Sequence, residues 1–499
     1  MNKRIRRLAL GLLACYLVLF VQLNILQVDR RSELAANPNN NRAVIRDFDK
    51  PRGRIITADG VTIAQTDTLP VIAADAGTGS KFKYQRSYPQ RELFANVTGY
   101  YTFAYGATKL EKVFGDVLTG RTAGQFLPGL LNSDNTGAVL LTVRADLQQV
   151  ARDALSEREG SVVLMDPKTG AVQALWSYPS YDPNLIAVHD NKLAGQVLEY
   201  LNAIPSKPNL GNSYQERYMP GSTFKVITTG VALQNGLINF DSFWPTETEY
   251  LPPQTTDPIQ NYGGGACGGD LREVFRRSCN TPFARIAVEL GPQAMVDGTK
   301  AWGIGEKLPF DIPGSVASTF GEVSDFDNAI PKLAIRGFGQ DEDQMVPLHM
   351  AMVAATVANG GKMMKPHIVD ATLDHSGGVL DRTNPSVWKT PISGETAAVL
   401  NELMVGVVQN GTASCCMQLD NGIQAAAKTG TAQLNAAGAE QRSHAWIIGF
   451  APAEAPQYAI AVILKGTNAE ISAGTGGKLA GPIAKTVLDY ALAHPLVQN

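Results

Sequence analysis

The chain has 499 residues, 44% of them hydrophobic and 18% charged, with a formal net charge of −3. That length and apolar share predict two folded units with a sizeable core. The near-neutral balance excludes nucleic acid as the main partner, five cysteines exclude a disulfide-built miniature, and no period of roughly 20–50 residues marks a solenoid.

Residues 1–7 carry Lys3, Arg4, Arg6 and Arg7, and Leu8 to Val28 then runs without a charge. As a helix this run would reach roughly 30 Å, the thickness of a bilayer's hydrocarbon. The basic flank predicts a cytoplasmic tail over 1–7 and a transmembrane anchor over 8–28, with all that follows outside. No small-x-small cleavage site follows closely, so an uncleaved anchor is expected rather than a signal peptide.

A polar module is expected over 29–137. In it, Arg54–Thr57, Asp59-Gly60 and Val61–Ala64 read as a hairpin with a primed turn, and Asn132–Gly137 reads as a linker. The larger unit, 138–499, should open with a strand at Ala138–Val143. A helix follows from Ala145 to about Glu157, with Leu147, Val150, Ala151 and Leu155 on one face. A second hairpin is expected from Ser161–Met165 and Ala171–Trp176 around the turn Asp166–Gly170. Gln424–Gln433, Ala445–Phe450 and Tyr458–Leu464 read as three further strands, and Leu479–Leu492 as a final helix. Strands at both ends around a helical middle predict an α+β domain with one sheet sewn from the two extremities.

The chemistry-bearing pattern is Ser-x-x-Lys, then Ser-x-Asn, then Lys-Thr-Gly, and it occurs twice in order. One set is Ser80–Lys83, Ser133–Asn135 and Lys168–Gly170; the other is Ser222–Lys225, Ser278–Asn280 and Lys428–Gly430. Context selects the second. Serine and lysine must stand one helical turn apart for the amine to reach the hydroxyl. Met219-Pro220-Gly221 precedes Ser222, and Val226, Ile227, Val231, Ala232 and Leu233 follow it as a buried helical stripe. Ser222 also stands where a helix N-cap would. Ser80 has no such stripe, Ser133 lies in the linker, and Lys168 sits at a hairpin tip. Lys428 instead extends the small-residue strand Gln424–Ala427, which a substrate backbone could approach closely.

The second set resembles the active site of the penicillin-binding proteins, in the serine acyltransferase superfamily shared with the serine β-lactamases. Arg52-Gly53-Arg54-Ile55 resembles the start of the class B amino-terminal module. Gln340–Val369 resembles the family's helix after the middle motif, with Val346 where threonine is frequent, a change expected to touch packing only. Asn261-Tyr262-Gly263-Gly264 and Gly99-Tyr100-Tyr101 are similar to the penicillin-binding protein A branch.

The resemblance implies acyl transfer through a Ser222 ester, with Lys225 as base, its pKa depressed by burial and by the Lys428 ammonium. It gives Ser278 a proton relay to the leaving amine and Asn280 the orientation of Lys225 and the substrate amide. Lys428, Thr429, Gly430 and Thr431 would bind substrate, Lys428 and the two threonines holding its carboxylate. The N–H groups of Ser222 and Thr431 would form the oxyanion hole. The implied donor is a peptidoglycan stem peptide ending in D-Ala-D-Ala, the acceptor a neighbouring amine, and β-lactams would mimic the donor. Cell wall synthesis, in division or shape, is the implied role. A membrane-embedded glycosyltransferase is the implied candidate partner of the 29–137 module.

The residues call for no metal or other cofactor, since the six histidines are scattered and His444 reads as packing or a hydrogen bond. A β-lactamase is disfavoured because Thr281–Ala427 holds no convincing Glu-x-x-x-Asn element, and a sensor because only seven residues remain inside. Cys267 and Cys279 are expected to pair outside the membrane. Adjacent Cys415 and Cys416 are expected to stay free thiols, because a bridge would close a strained ring.

Overall fold

A computed structural model of the chain describes residues 3–25, 48, 50–69, 82–122, 125, 135–435 and 442–496. Ser80, Ser133, the last three residues of the expected anchor and the first half of the linker lie outside these. Helix α1, Lys3–Asn24, is fully exposed and is the one helix among the described residues long and apolar enough to cross a membrane. At 22 residues it would span about 33 Å.

The expected first hairpin forms from β1 (Ile55–Ile56) and β2 (Thr62–Thr68), followed by β3 (Tyr84–Ser87), but its turn is not the expected primed one, because Gly60 has a positive φ and Asp59 does not. Asp59 at its turn also reaches out of the module. Its carboxylate accepts from the N–H groups of Ala145 at 2.8 Å and Asp146 at 3.2 Å, capping the helix that begins there. Beside the hairpin, Glu111 is buried between Arg52 at 2.8 Å and Arg86 at 2.6 Å, and Arg52 lies over the Tyr101 ring. Removing one partner of such a buried pair leaves an uncompensated charge, at a cost of about 3–5 kcal/mol.

Strand β4 covers Ala138–Leu141, two residues shorter than expected, and helix α2 covers Ala145–Leu155. The second hairpin is β5 (Gly160–Met165) and β6 (Val172–Tyr178). Helices α3 (Lys225–Gln234), α4 (Thr281–Ala301) and α5 (Pro347–Ala358) fill the middle of the chain. Strands β7 (Val369–Leu373) and β8 (Val379–Arg382) precede helix α6 (Gly394–Asn410). The end of the chain supplies β9 (Ala426–Gln433), β10 (Ser443–Ala451), β11 (Tyr458–Leu464) and helix α7 (Gly476–Ala493).

The principal sheet is antiparallel, in the order β9-β10-β11-β5-β6, and joins the two extremities as the sequence predicts. Every residue of β5, β10 and β11 is buried. Helix α5 packs on one side of the sheet, and α2 and α7 pack together. Such uninterrupted apolar strands belong to a sheet covered on both faces. Strand β4 does not join it. A second sheet runs β8-β7-β4-β1-β2-β3, with β4 parallel to β1 and antiparallel to β7. The polar N-terminal segment and the larger unit therefore share a sheet.

Candidate active site

Three segments converge on β9, the edge strand of the principal sheet. The first begins where Trp446 of β10 donates from Nε1 to the Met219 carbonyl at 2.9 Å. Gly221 follows with φ +55° and donates its N–H to Gly339 O at 2.8 Å. A Cβ on Gly221 would come within 2.6 Å of Thr431 O, and one on Gly430 within 2.6 Å of Pro220 O. Only glycines let the Ser222 turn lie directly against β9. Ser222 sits in a 3₁₀ turn, Gly221–Phe224, and α3 begins at Lys225, so the helix starts three residues later than the sequence reading places it. Nor is Ser222 an N-cap, since Pro220 and Phe224 occupy those positions without side-chain bonds. Lys225, three residues on from Ser222, stands directly at the end of this turn.

The second segment is Ser278-Cys279-Asn280, just before α4. Lys225 is fully buried and donates from Nζ to Ser278 O at 2.7 Å, Cys279 O at 2.7 Å and Asn280 Oδ1 at 2.9 Å. Its Nζ also lies 3.3 Å from Ser278 Oγ. Ser278 holds φ +61°, a left-handed conformation costing a non-glycine residue about 1–3 kcal/mol. Two devices hold it there. Cys267 and Cys279 are bridged, as expected, closing a 12-residue separation that constrains the unfolded chain by about 3 kcal/mol. Asn261 Oδ1 accepts from the N–H groups of Asn280 at 2.8 Å and Thr281 at 3.1 Å, satisfying the start of α4.

The third segment is Lys428-Thr429-Gly430-Thr431 on β9. Lys428 is fully buried and donates from Nζ to Ser278 Oγ at 2.8 Å and Thr429 O at 3.0 Å. Thr429 Oγ1 meets Thr412 Oγ1 at 2.5 Å, Gln340 donates to Thr431 O at 3.2 Å, and Gly476 N donates to Thr431 Oγ1 at 3.4 Å. The Ser278 hydroxyl thus lies between two buried amines. Burial, and then repulsion from Lys428, holds the Lys225 amine well below the usual lysine range. Burial alone lowers Lys428 to about 7. A lowered lysine is more readily neutral, the form in which an amine can take a proton.

Of the first motif set, Lys168 is exposed at the tip of the β5–β6 turn, and Asn135 donates to the Gln125 carbonyl. His444 Nδ1 accepts from Gly466 N–H at 3.0 Å, and burial lowers the ring to about 4, so it is a neutral packing group. Val346 is buried at the N-cap position of α5, a site where it supplies no side-chain cap, in keeping with a packing role. Cys415 and Cys416 are joined as a disulfide, against the expectation of free thiols; the eight-membered ring is closed within the turn after α6. Sequence reasoning did not find the capping role of Asn261, the Trp446 anchor or Thr412. Only Asn261 carried a signal, an asparagine followed by Tyr262 and two turn glycines.

Residues 160–489 match the Penicillin binding protein transpeptidase domain family, and residues 52–137 match the Penicillin binding protein A dimerisation domain. The chain is 34% identical to the peptidoglycan D,D-transpeptidase PbpA of Mycobacterium tuberculosis over 99% of both chains. Identity to the PbpA of Mycolicibacterium smegmatis is also 34%, again over 99% of both. Among solved structures, the ceftriaxone acyl-enzyme of M. tuberculosis penicillin-binding protein A superposes with a TM-score of 0.81 at 32% identity, covering 90% of this chain and 100% of that one. With a whole-length relative at this identity and a matching catalytic domain over two-thirds of its residues, the chain belongs to the penicillin-binding protein transpeptidases, the enzymes that cross-link peptidoglycan.

Proposed function

We propose that Ser222 is the nucleophile of this D,D-transpeptidase and that the two buried lysines divide the proton work. The observation that carries the proposal is the Ser278 hydroxyl, 2.8 Å from Lys428 Nζ and 3.3 Å from Lys225 Nζ. When Lys225 is neutral, its two N–H donors serve the Ser278 and Cys279 carbonyls and its lone pair takes the Ser222 proton. Ser222 Oγ then bonds to the carbonyl carbon of the penultimate D-Ala. The terminal D-Ala leaves as the amine, taking a proton through Ser278, and an acceptor amine displaces the ester. Lys428, Thr429 and Thr431 hold the donor's carboxylate, Asn280 its amide, and Gly430 leaves room for its backbone along the open edge of β9. The N–H groups of Ser222 and Thr431 face the oxyanion, each worth about 3–4 kcal/mol in the transition state.

The same site would be acylated by β-lactams, as the M. tuberculosis relative is by ceftriaxone and penicillin G. Helix α1 would anchor the chain with Lys3–Arg7 in the cytoplasm, supported by its length and basic flank. With a boundary at 137/138, the 29–137 module would be a pedestal facing a membrane-embedded glycosyltransferase. The function is tested with the full chain in detergent micelles, a stem peptide ending in D-Ala-D-Ala and an amine acceptor. Cross-linked product together with released D-Ala supports transpeptidation. Release without product would make the enzyme a carboxypeptidase.

Asn261→Ala tests the positioning of the middle motif. It removes the acceptor for two N–H groups at the start of α4. Penicillin acylation should slow about 10-fold, equivalent to 1.4 kcal/mol. The pH dependence should shift with it, because the Cys279 carbonyl and Asn280 amide that hold Lys225 would move. A thermal melt alone would report the lost cap, so the pH profile is the deciding readout.

A further inference from the structure

We propose that Cys415–Cys416 is a site of thiol–disulfide exchange, taking an extracytoplasmic thiolate, and that its state bears on the carboxylate-holding end of β9. The two bridges of this chain differ in kind. A disulfide stabilises chiefly by closing a loop in the unfolded chain, and adjacent residues enclose no loop to close. Cys415–Cys416 therefore contributes little as a staple, whereas Cys267–Cys279 does.

Access fits exchange. Cys267 and Cys279 are both buried, but Cys415 is exposed and Cys416 half-buried. The pair lines an open groove of about 870 Å³ between α2, α7 and the turn after α6. Lys485 lines the same groove with Asp153, Asp420 and Asp489, and it is paired with Asp420 at 2.7 Å and with Asp489.

The turn that carries the pair is bonded to the active site. Thr412, three residues before Cys415, meets Thr429 Oγ1 at 2.5 Å and donates its N–H to Arg276 O at 3.3 Å, two residues before Ser278. Cys416 also lies against α7, where a Cβ on Gly481 would come within 3.0 Å of its own Cβ. Opening the eight-membered ring changes the backbone that this turn can adopt, and Thr412 is its contact with the third motif.

In the exchange, a thiolate attacks Sγ of Cys415 and forms a mixed disulfide, and the Cys415–Cys416 bond breaks. The electron pair leaves on Cys416 Sγ, which takes a proton from water. A second thiolate attacks the external sulfur of the mixed disulfide, its bond to Cys415 Sγ breaks, and Cys415 leaves as a thiolate that takes a proton from water, so two external thiols are oxidised to one disulfide and both cysteines are reduced.

The test uses the full chain in detergent micelles in graded glutathione buffers, with released thiols alkylated and mapped by mass spectrometry. The expected result is reduction of Cys415–Cys416, or a glutathione adduct on it, under conditions that leave Cys267–Cys279 closed. Opening of both bridges together, or of Cys267–Cys279 first, would overturn the proposal. A second arm rests on the function proposed above and measures penicillin acylation after selective reduction. It should slow roughly 3- to 10-fold, the loss of one hydrogen bond to β9. The Cys415→Ser/Cys416→Ser double variant should show no further change on reduction. Equal rates in the oxidised and reduced wild type would remove the link to the active site, while the mapping decides the exchange site independently.

Discussion

Ser222→Ala should abolish covalent labelling by penicillin and reduce cross-linking to background, a loss of about 10⁴-fold or more. The expectation follows from position as well as chemistry. Ser222 is the half-buried member of a turn pressed against Thr431, with Lys225 one 3₁₀ turn away. Removal of Oγ leaves the fold alone, because no side-chain cap depends on it. An unchanged thermal melt beside lost labelling is therefore the expected pair of results. Ser222→Ala that still accepts the label would move the nucleophile elsewhere.

Lys225→Ala should slow acylation by about 10²–10⁴-fold and flatten the acid side of its pH profile. The sign follows from the two amines. In its proposed role Lys225 acts as base only when neutral, so the wild-type rate should rise as pH passes upward through its depressed pKa. In its proposed role Lys428 acts as ammonium toward the substrate carboxylate, so the second-order acylation constant should fall as pH rises through about 7. The two limbs belong to a coupled pair and are read as macroscopic constants. Lys428→Ala adds a second check. It removes a charge that presses the Lys225 pKa down, so the acid limb should move to higher pH. An acid limb that stays in place in both variants would mean that another group titrates there.

Much of this arrangement was legible because it is local. Hairpins announce themselves by the turn residues Asp59-Gly60 and Asp166–Gly170 between apolar runs. The stripe after Ser222 separates one Ser-x-x-Lys from the other. The structure then brings Lys225, Ser278, Asn280 and Lys428 within hydrogen-bond reach of one another. What was not legible is non-local or subtle. Nothing in Ala138–Leu141 says that its neighbours will be β1 and β7 rather than the principal sheet, because strand periodicity specifies a face and not a partner. The side-chain cap from Asn261 spans 19 residues to Asn280, and Thr412 reaches 17 residues to Thr429. Contacts at such distances leave no period in the chain. The bridge between Cys415 and Cys416 depends on the backbone of one turn, which sequence spacing does not fix.

The most direct test of the central claim is to follow labelled penicillin on the full chain over time and map the adduct by mass spectrometry. The arrangement described here predicts a long-lived ester on the peptide containing Ser222 and none on that containing Ser80. An adduct on any other residue, or label released as fast as it is bound, would contradict it.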